Sequence, residues 1–239
     1  MTSRERFLAT LRGEAVDRLF RYEHGPWPTT YQRWLTEGLP ADADLGVYFQ
    51  MDPIVRIRIN SGYTDSPYHP KFEETTIEET AQYRIYTDGD GITKKILREH
   101  SDTSMPKFLR FPVTDRTDWE TLKRRLNPDD ASARVGDPAR WVAACADSAV
   151  PTVLPICGAF GHPRNLLGDE ELAYLIYDDP VLLEKILDNW RDLYVALLRE
   201  LTCRVRVDVL LIWEDMCYKN GPLISPEQFR RFMSSRYQQ

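Results

Sequence analysis

Two apolar runs with almost no alternation, Thr152–Ile156 and Val207–Trp213, read as strands buried on both faces, as in a parallel sheet. Between them lies the strongest helical pattern of the chain. Leu182, Leu183, Ile186, Leu187, Trp190, Leu193, Tyr194, Leu197, Leu198 and Leu201 recur at helical period after Asp178-Asp179-Pro180. A shorter helix is predicted from about Glu170 to Tyr177, and Ser225-Pro226-Glu227-Gln228 starts a last one with serine as its cap and proline in its first turn.

The first half is less regular. A short amphipathic helix follows Ser3, with Phe7, Leu8 and Leu11 on one face and Gly13 at its end. Leu19–Tyr22, Val47–Met51 and Ile54–Ile59 read as strands, and a helix is expected from Tyr31 to Leu35. Gln82–Thr87 and Ile92–Arg98 flank Asp88-Gly89-Asp90-Gly91, a hairpin signal that reads as an antiparallel insertion over about 82–98. Thr117 to Leu126 and Pro138 to Asp147 should be helical, and Phe108–Val113 extended. Strand, loop and helix then repeat without hairpins, so the fold class is α/β with a parallel sheet in a single domain over 1–239. Four or five βα units are countable, which leaves two readings: an incomplete (β/α)8 TIM barrel or an open sheet.

Net charge at pH 7 is −6 over 239 residues, with acids and bases interspersed and no basic stripe, which argues against a nucleic-acid partner. No apolar run reaches the length of a membrane span, and the first residues lack the apolar centre of a signal peptide. The four cysteines, Cys145, Cys157, Cys203 and Cys217, form no CxxC pair and each falls in an apolar segment, so buried reduced thiols in a cytoplasmic protein are the expectation. The long sheet edge exposed by an open barrel should lead to aggregation or a homodimer.

Chemistry is expected at the carboxyl ends of the parallel strands. Glu214 and Asp215 directly follow the second buried run and suit general acid–base work; the plainer reading pairs Glu214 with Lys219 or an arginine and has Asp215 cap a turn. His24 with Glu23 lies in the loop after the first expected strand, as an acid–base pair, a metal ligand set or ordinary surface residues. His162 and Arg164 follow the strand at Thr152–Ile156, and Arg164 either clamps a substrate carboxylate or pairs with Asp169 or Glu170. Trp27, Phe160, Trp213 and Tyr218 are candidates for an aromatic wall or for core packing, and Lys219 for contact with an anionic group or for solvent. The loops near residues 24 and 162 and the acidic pair are expected to share one cavity, used by a small-molecule substrate. The cysteines show no zinc-finger spacing, and no residue is assigned to a metal.

Three segments, SRERFLATLRGEAVDR, GHPRNLLGDEELAYLIYDDPVLLEKIL and LLIWEDMCYKNGPLISPEQFRRFM, resemble the uroporphyrinogen decarboxylase family, which also contains corrinoid and coenzyme M methyltransferases. The resemblance implies a TIM barrel, of which this chain would be the N-terminal two-thirds. It also implies a lyase that decarboxylates a porphyrinogen-type substrate by proton transfer without a cofactor. In that reading Glu214 and Asp215 supply a proton or stabilise charge, while Arg164 and His24 orient the substrate. The loop Glu23–Trp27 lacks the family's pair of substrate-binding arginines. The methyltransferase branch implies instead a zinc ion and a corrinoid partner; a non-catalytic barrel is the third alternative.

Overall fold

The computed structural model describes residues 1–63, 65–100, 105–137, 139–147 and 149–239. It opens on helix α1 (Ser3–Arg12), where Thr2 and Glu5 form a reciprocal capping box and Gly13, at a φ of 70°, closes the C-terminus. Thr2 rather than Ser3 is the cap, and the buried positions are Arg6 and Ala9, while Leu11 is exposed. Helices α2 (Pro28–Thr36) and α3 (Leu45–Tyr48) follow. Then come strand β1 (Val55–Arg56) and an antiparallel sheet in the order β2 (Thr75–Glu79), β3 (Tyr83–Thr87), β4 (Thr93–Leu97), β5 (Lys107–Arg110). The turn at 88–91 joins β3 to β4 antiparallel, and Asp88 Oδ1 accepts the N–H groups of Asp90 and Ile92.

Helices α4 (Arg116–Leu122), α5 (Ala131–Val135) and α6 (Ala139–Ala144) lead to the centre of the molecule, strand β6 (Thr152–Cys157). Pro138, where the sequence starts the helix now seen as α6, lies outside the described residues. After β6 come α7 (Gly161–Leu167), α8 (Asp169–Asp178) and α9 (Pro180–Thr202), then β7 (Val209–Trp213), a two-residue bridge of β8 (Cys217–Tyr218) with β9 (Gly221–Pro222), and the closing helices α10 (Pro226–Phe229) and α11 (Ser235–Gln238), joined by a π turn.

Strand β6 is buried along its whole length between β1 and β7, both parallel to it. Its partner α9 buries Leu183, Ile186, Leu187, Leu193 and Leu197, and Trp190 Nε1 donates to the Cys157 carbonyl at 2.9 Å. Each fully buried leucine or isoleucine of this kind stabilises by roughly 1.5–3 kcal/mol, so the α9 face dominates the core.

The eight-stranded barrel is not there. Among the described residues the parallel strands are β1, β6 and β7 alone, and the antiparallel strands form separate sheets. The fold is mixed α/β, with a three-stranded parallel sheet where the βα count had suggested an incomplete barrel. Leu19–Tyr22 pairs with no strand, and Val47–Met51 contributes to helix α3, whose N-cap Asp44 accepts the Val47 N–H. The ladder between β1 and β6 stops at Arg56 for a covalent reason. Positions 153 and 157 of β6 bond toward the 57–61 segment, so at Pro155 the missing N–H falls on that side; the Ser61 hydroxyl donates to the Pro155 carbonyl instead, at 2.8 Å.

Candidate functional site

At the carboxyl ends of β6 and β7 the backbone makes room for one carboxylate. Gly158 lies directly beneath Glu214: a Cβ there would stand 2.3 Å from Glu214 Cδ. The Glu214 carboxylate accepts the N–H groups of Phe160 at 3.0 Å and Gly161 at 2.8 Å, together with the Tyr237 hydroxyl. Tyr237 in turn accepts the Ala159 N–H at 2.7 Å, and burial followed by the charge of Glu214 pushes its hydroxyl well above the usual tyrosine range. Glu214 thus ties the first turn of α7 to the C-terminal α11, and its oxygens are occupied. Asp215 is exposed and pairs with Arg164, which also reaches Asp169 Oδ1 at 3.1 Å and lies with its guanidinium 5.5 Å from the Trp213 ring centre. Two carboxylates hold this arginine, so it has no vacant fork for a substrate.

His162 is buried on α7. Burial holds its imidazole down at about 4, and its Nε2 has no hydrogen-bond partner among the described residues. It lines a closed chamber of about 10 Å³ with Asp90, Cys157, Asn165 and Tyr68, room for about one water and no substrate. Burial pushes the Cys157 thiol far up, which makes it a poor nucleophile; Cys145 is buried as well, whereas Cys203 and Cys217, expected inside, are exposed after α9 and on the β8–β9 bridge. Tyr218 and Lys219 are exposed on the β8–β9 bridge, where Lys219 forms no ion pair among the described residues.

Glu23, His24 and Trp27 sit elsewhere. They line an open cavity of about 750 Å³ with Tyr22, Thr30, Trp34, Phe49, Met51 and Asp52, and none of Glu214, Asp215, His162 or Arg164 is in its wall. The structure therefore separates the sequence candidates into two groups. One is a structural cluster of Phe160, Arg164, Glu214 and Asp215 around the end of β6. The other is the Glu23–Trp27 loop, beside Arg56 near the start of that strand.

This second site is built on ion pairs. Asp52, buried at 5% exposure, accepts Arg6 Nη1 at 2.6 Å, both Nη atoms of Arg18 and the Arg21 N–H. Burial pushes its carboxyl up, but the hydrogen bonds of Arg18 and the Arg21 N–H and the charges of Arg18 and Arg6 outweigh this and hold it below the usual aspartate range. Gln50, between the wall residues Phe49 and Met51, takes a φ of 52°, a left-handed conformation rare outside glycine and asparagine. Behind the wall, the half-buried Arg56 donates to the Tyr22 hydroxyl and faces His24 Nδ1 at 3.5 Å. A guanidinium only donates, so in this contact Nδ1 accepts and the ring hydrogen of His24 sits on Nε2. Arg56 has no carboxylate partner among the described residues.

Arg56, Trp34, Phe49 and Asp52 were not singled out from the sequence. Arg56 read there as the polar side of an alternating strand, and only its place against Tyr22 and His24 behind the cavity wall marks it out. Among the described residues no group of three or more His, Cys, Asp or Glu is placed to hold a metal ion, so nothing in them fits the zinc of the methyltransferase alternative, and no helix is long and apolar enough to cross a membrane. No protein-family model, curated protein or solved structure gives a significant match to this chain.

Proposed function

We propose that this chain binds a small carboxylated molecule in the cavity lined by Trp27 and acts on it as a lyase, with Arg56, behind the wall, as counter-charge and His24 as the hydrogen-bond donor that orients the carboxylate. The observation that carries the reading is Arg56: a half-buried guanidinium without an acidic partner among the described residues, backing two wall residues, Tyr22 and His24, of the aromatic-lined cavity. Arg56 is partly desolvated behind Tyr22 and His24, so an anionic group that reaches it past these side chains is favoured there. The cavity is of the size that takes small molecules, and its wall is mostly apolar with a few polar groups.

The chemistry follows from the tautomer. When the bond from carbon to carboxylate breaks, carbon dioxide leaves and its electron pair stays on carbon. His24, neutral with its Nδ1 lone pair turned to Arg56, orients the departing carboxylate through its Nε2 hydrogen, and the carbon takes its proton from water, leaving hydroxide to the solvent. This is the reaction class implied by the resemblance to uroporphyrinogen decarboxylases. It is carried here by the Glu23–Trp27 loop and Arg56 rather than by Glu214 and Arg164, whose polar atoms are engaged.

Calorimetric titration with a compact apolar carboxylate, 3,3-dimethylbutanoate, tests the binding. Saturable binding weakened at least tenfold in Arg56→Gln supports the reading; binding unchanged in that variant overturns it. For the reaction, labelled carbon dioxide released from a carboxyl-labelled ligand should be lost in His24→Gln, and its persistence there would remove His24 from the chemistry.

A further inference from the structure

The rings of Tyr22, Trp27, Trp34 and Phe49 line the cavity, with the Trp34 and Phe49 centres 5.3 Å apart and tilted by 57°. Trp27 and Phe49 are 58% and 41% exposed, so these rings are not consumed by core packing. Two acids share the wall. Asp52 is neutralised by Arg6 and Arg18, whereas Glu23 forms no ion pair among the described residues, with Arg56 or any other base. Aromatic faces carry partial negative charge and attract cations, above all when a carboxylate is near.

The same wall is poor in hydrogen-bond acceptors. Glu23 and Thr30 are the side-chain acceptors left once Asp52, His24 Nδ1 and the Tyr22 hydroxyl are engaged. A primary ammonium brings three N–H groups that lose water on entry and need partners. A methylated ammonium brings the charge without the donors.

We propose that the ligand is a zwitterion whose methylated ammonium group lies among Tyr22, Trp27, Trp34 and Phe49 next to Glu23, its carboxylate directed to Arg56. The carboxylate half rests on the reading of Arg56 given above; the cationic half rests on the rings and Glu23. The positive nitrogen also has a chemical use, because it stabilises the electron pair that loss of carbon dioxide leaves on the adjacent carbon.

Three probes separate the two halves. Glycine betaine carries both charges, 3,3-dimethylbutanoate is its isostere with carbon in place of nitrogen, and tetramethylammonium has no carboxylate. By calorimetry on the full chain, betaine should bind at least tenfold more tightly than 3,3-dimethylbutanoate. Glu23→Gln should remove most of that difference, and Trp34→Leu should weaken betaine more than the isostere; thermal melts confirm that each variant is folded. Equal affinity for betaine and 3,3-dimethylbutanoate overturns the cationic half and leaves the carboxylate reading standing. Tetramethylammonium binding as tightly as betaine keeps the aromatic cage and overturns the carboxylate reading. Binding of none of the three overturns both.

Discussion

The Glu214 carboxylate occupies the space that a side chain at position 158 would fill, its Cδ 2.3 Å from where a Gly158 Cβ would be. The pair explains why an acid at the end of a parallel strand is not free for chemistry: it is the keystone between the first turn of α7 and Tyr237. Gly158→Ala should displace Glu214 from the Phe160 and Gly161 N–H groups and destabilise the protein by about 1–3 kcal/mol, the usual range for overpacking. Urea denaturation checks this, and a change under about 0.5 kcal/mol, ordinary for a surface site, would show that the loop yields.

Glu214→Gln keeps the shape of the side chain and removes its charge. Hydrogen bonds to a charged group contribute about 1.5–3 kcal/mol, so the variant should lose stability on that scale, and less when Tyr237→Phe is already present. A double-mutant cycle in denaturant measures the coupling. Ligand binding in the Trp27 cavity should be unaffected by either change.

The Arg6–Asp52–Arg18 cluster holds the wall of that cavity. Asp52→Ala leaves the buried Arg6 with only the more exposed Asp17 as partner. Removing one partner of a buried pair costs roughly 3–5 kcal/mol, and ligand affinity should fall with it as Phe49 and Met51 lose their anchor. Thermal unfolding and a binding titration on the same sample read both effects.

His162 makes stability depend on acidity. Its imidazole is held at about 4 by burial, below its ordinary 6.5. The unfolded chain therefore binds the proton first, and stability that is complete above about pH 6.5 falls as pH drops toward 4. The loss attributable to this group is about 3 kcal/mol between pH 7 and pH 4. Denaturation across that range in the native protein and in His162→Gln, which has no proton to gain, isolates it; parallel curves for the two would contradict the burial of the ring.

Much of the second half was legible because its signals are local. The helix at Pro180–Thr202 begins at Asp179, whose side chain accepts the Leu182 N–H, and Ser225 caps its helix through Gln228 as its sequence indicates. Strands β6 and β7 stand where unbroken hydrophobicity placed them, but only β6 is buried throughout; β7, at the edge of its sheet, is half-buried and exposes Ile212. What failed depends on partners. Ile54–Ile59 has the alternation of a strand, but its ladder is cut by Pro155, nearly a hundred residues away, on the side a sequence does not reveal. Val47–Met51 has the composition of a strand, yet the Asp44 cap and the left-handed Gln50 make it a helical turn and its exit. The site divides the same way. His24, Glu23 and Trp27 are conspicuous residue types in a proline-bounded loop, whereas the meaning of Arg56 lies in a carboxylate it does not meet. Glu214 drew notice by its place after a strand, but its bonds to Phe160, Gly161 and Tyr237 are tertiary.

The chain has six tryptophans, and their indole N–H resonances test the central claim directly. In a titration with glycine betaine followed by ¹⁵N–¹H correlation spectra, the signals of Trp27 and Trp34 should move together to saturation while those of Trp119, Trp141, Trp190 and Trp213 stay in place. Movement of Trp213, beside Arg164 and Asp215, with Trp27 and Trp34 unmoved would place the ligand at the strand ends and contradict the cavity assignment.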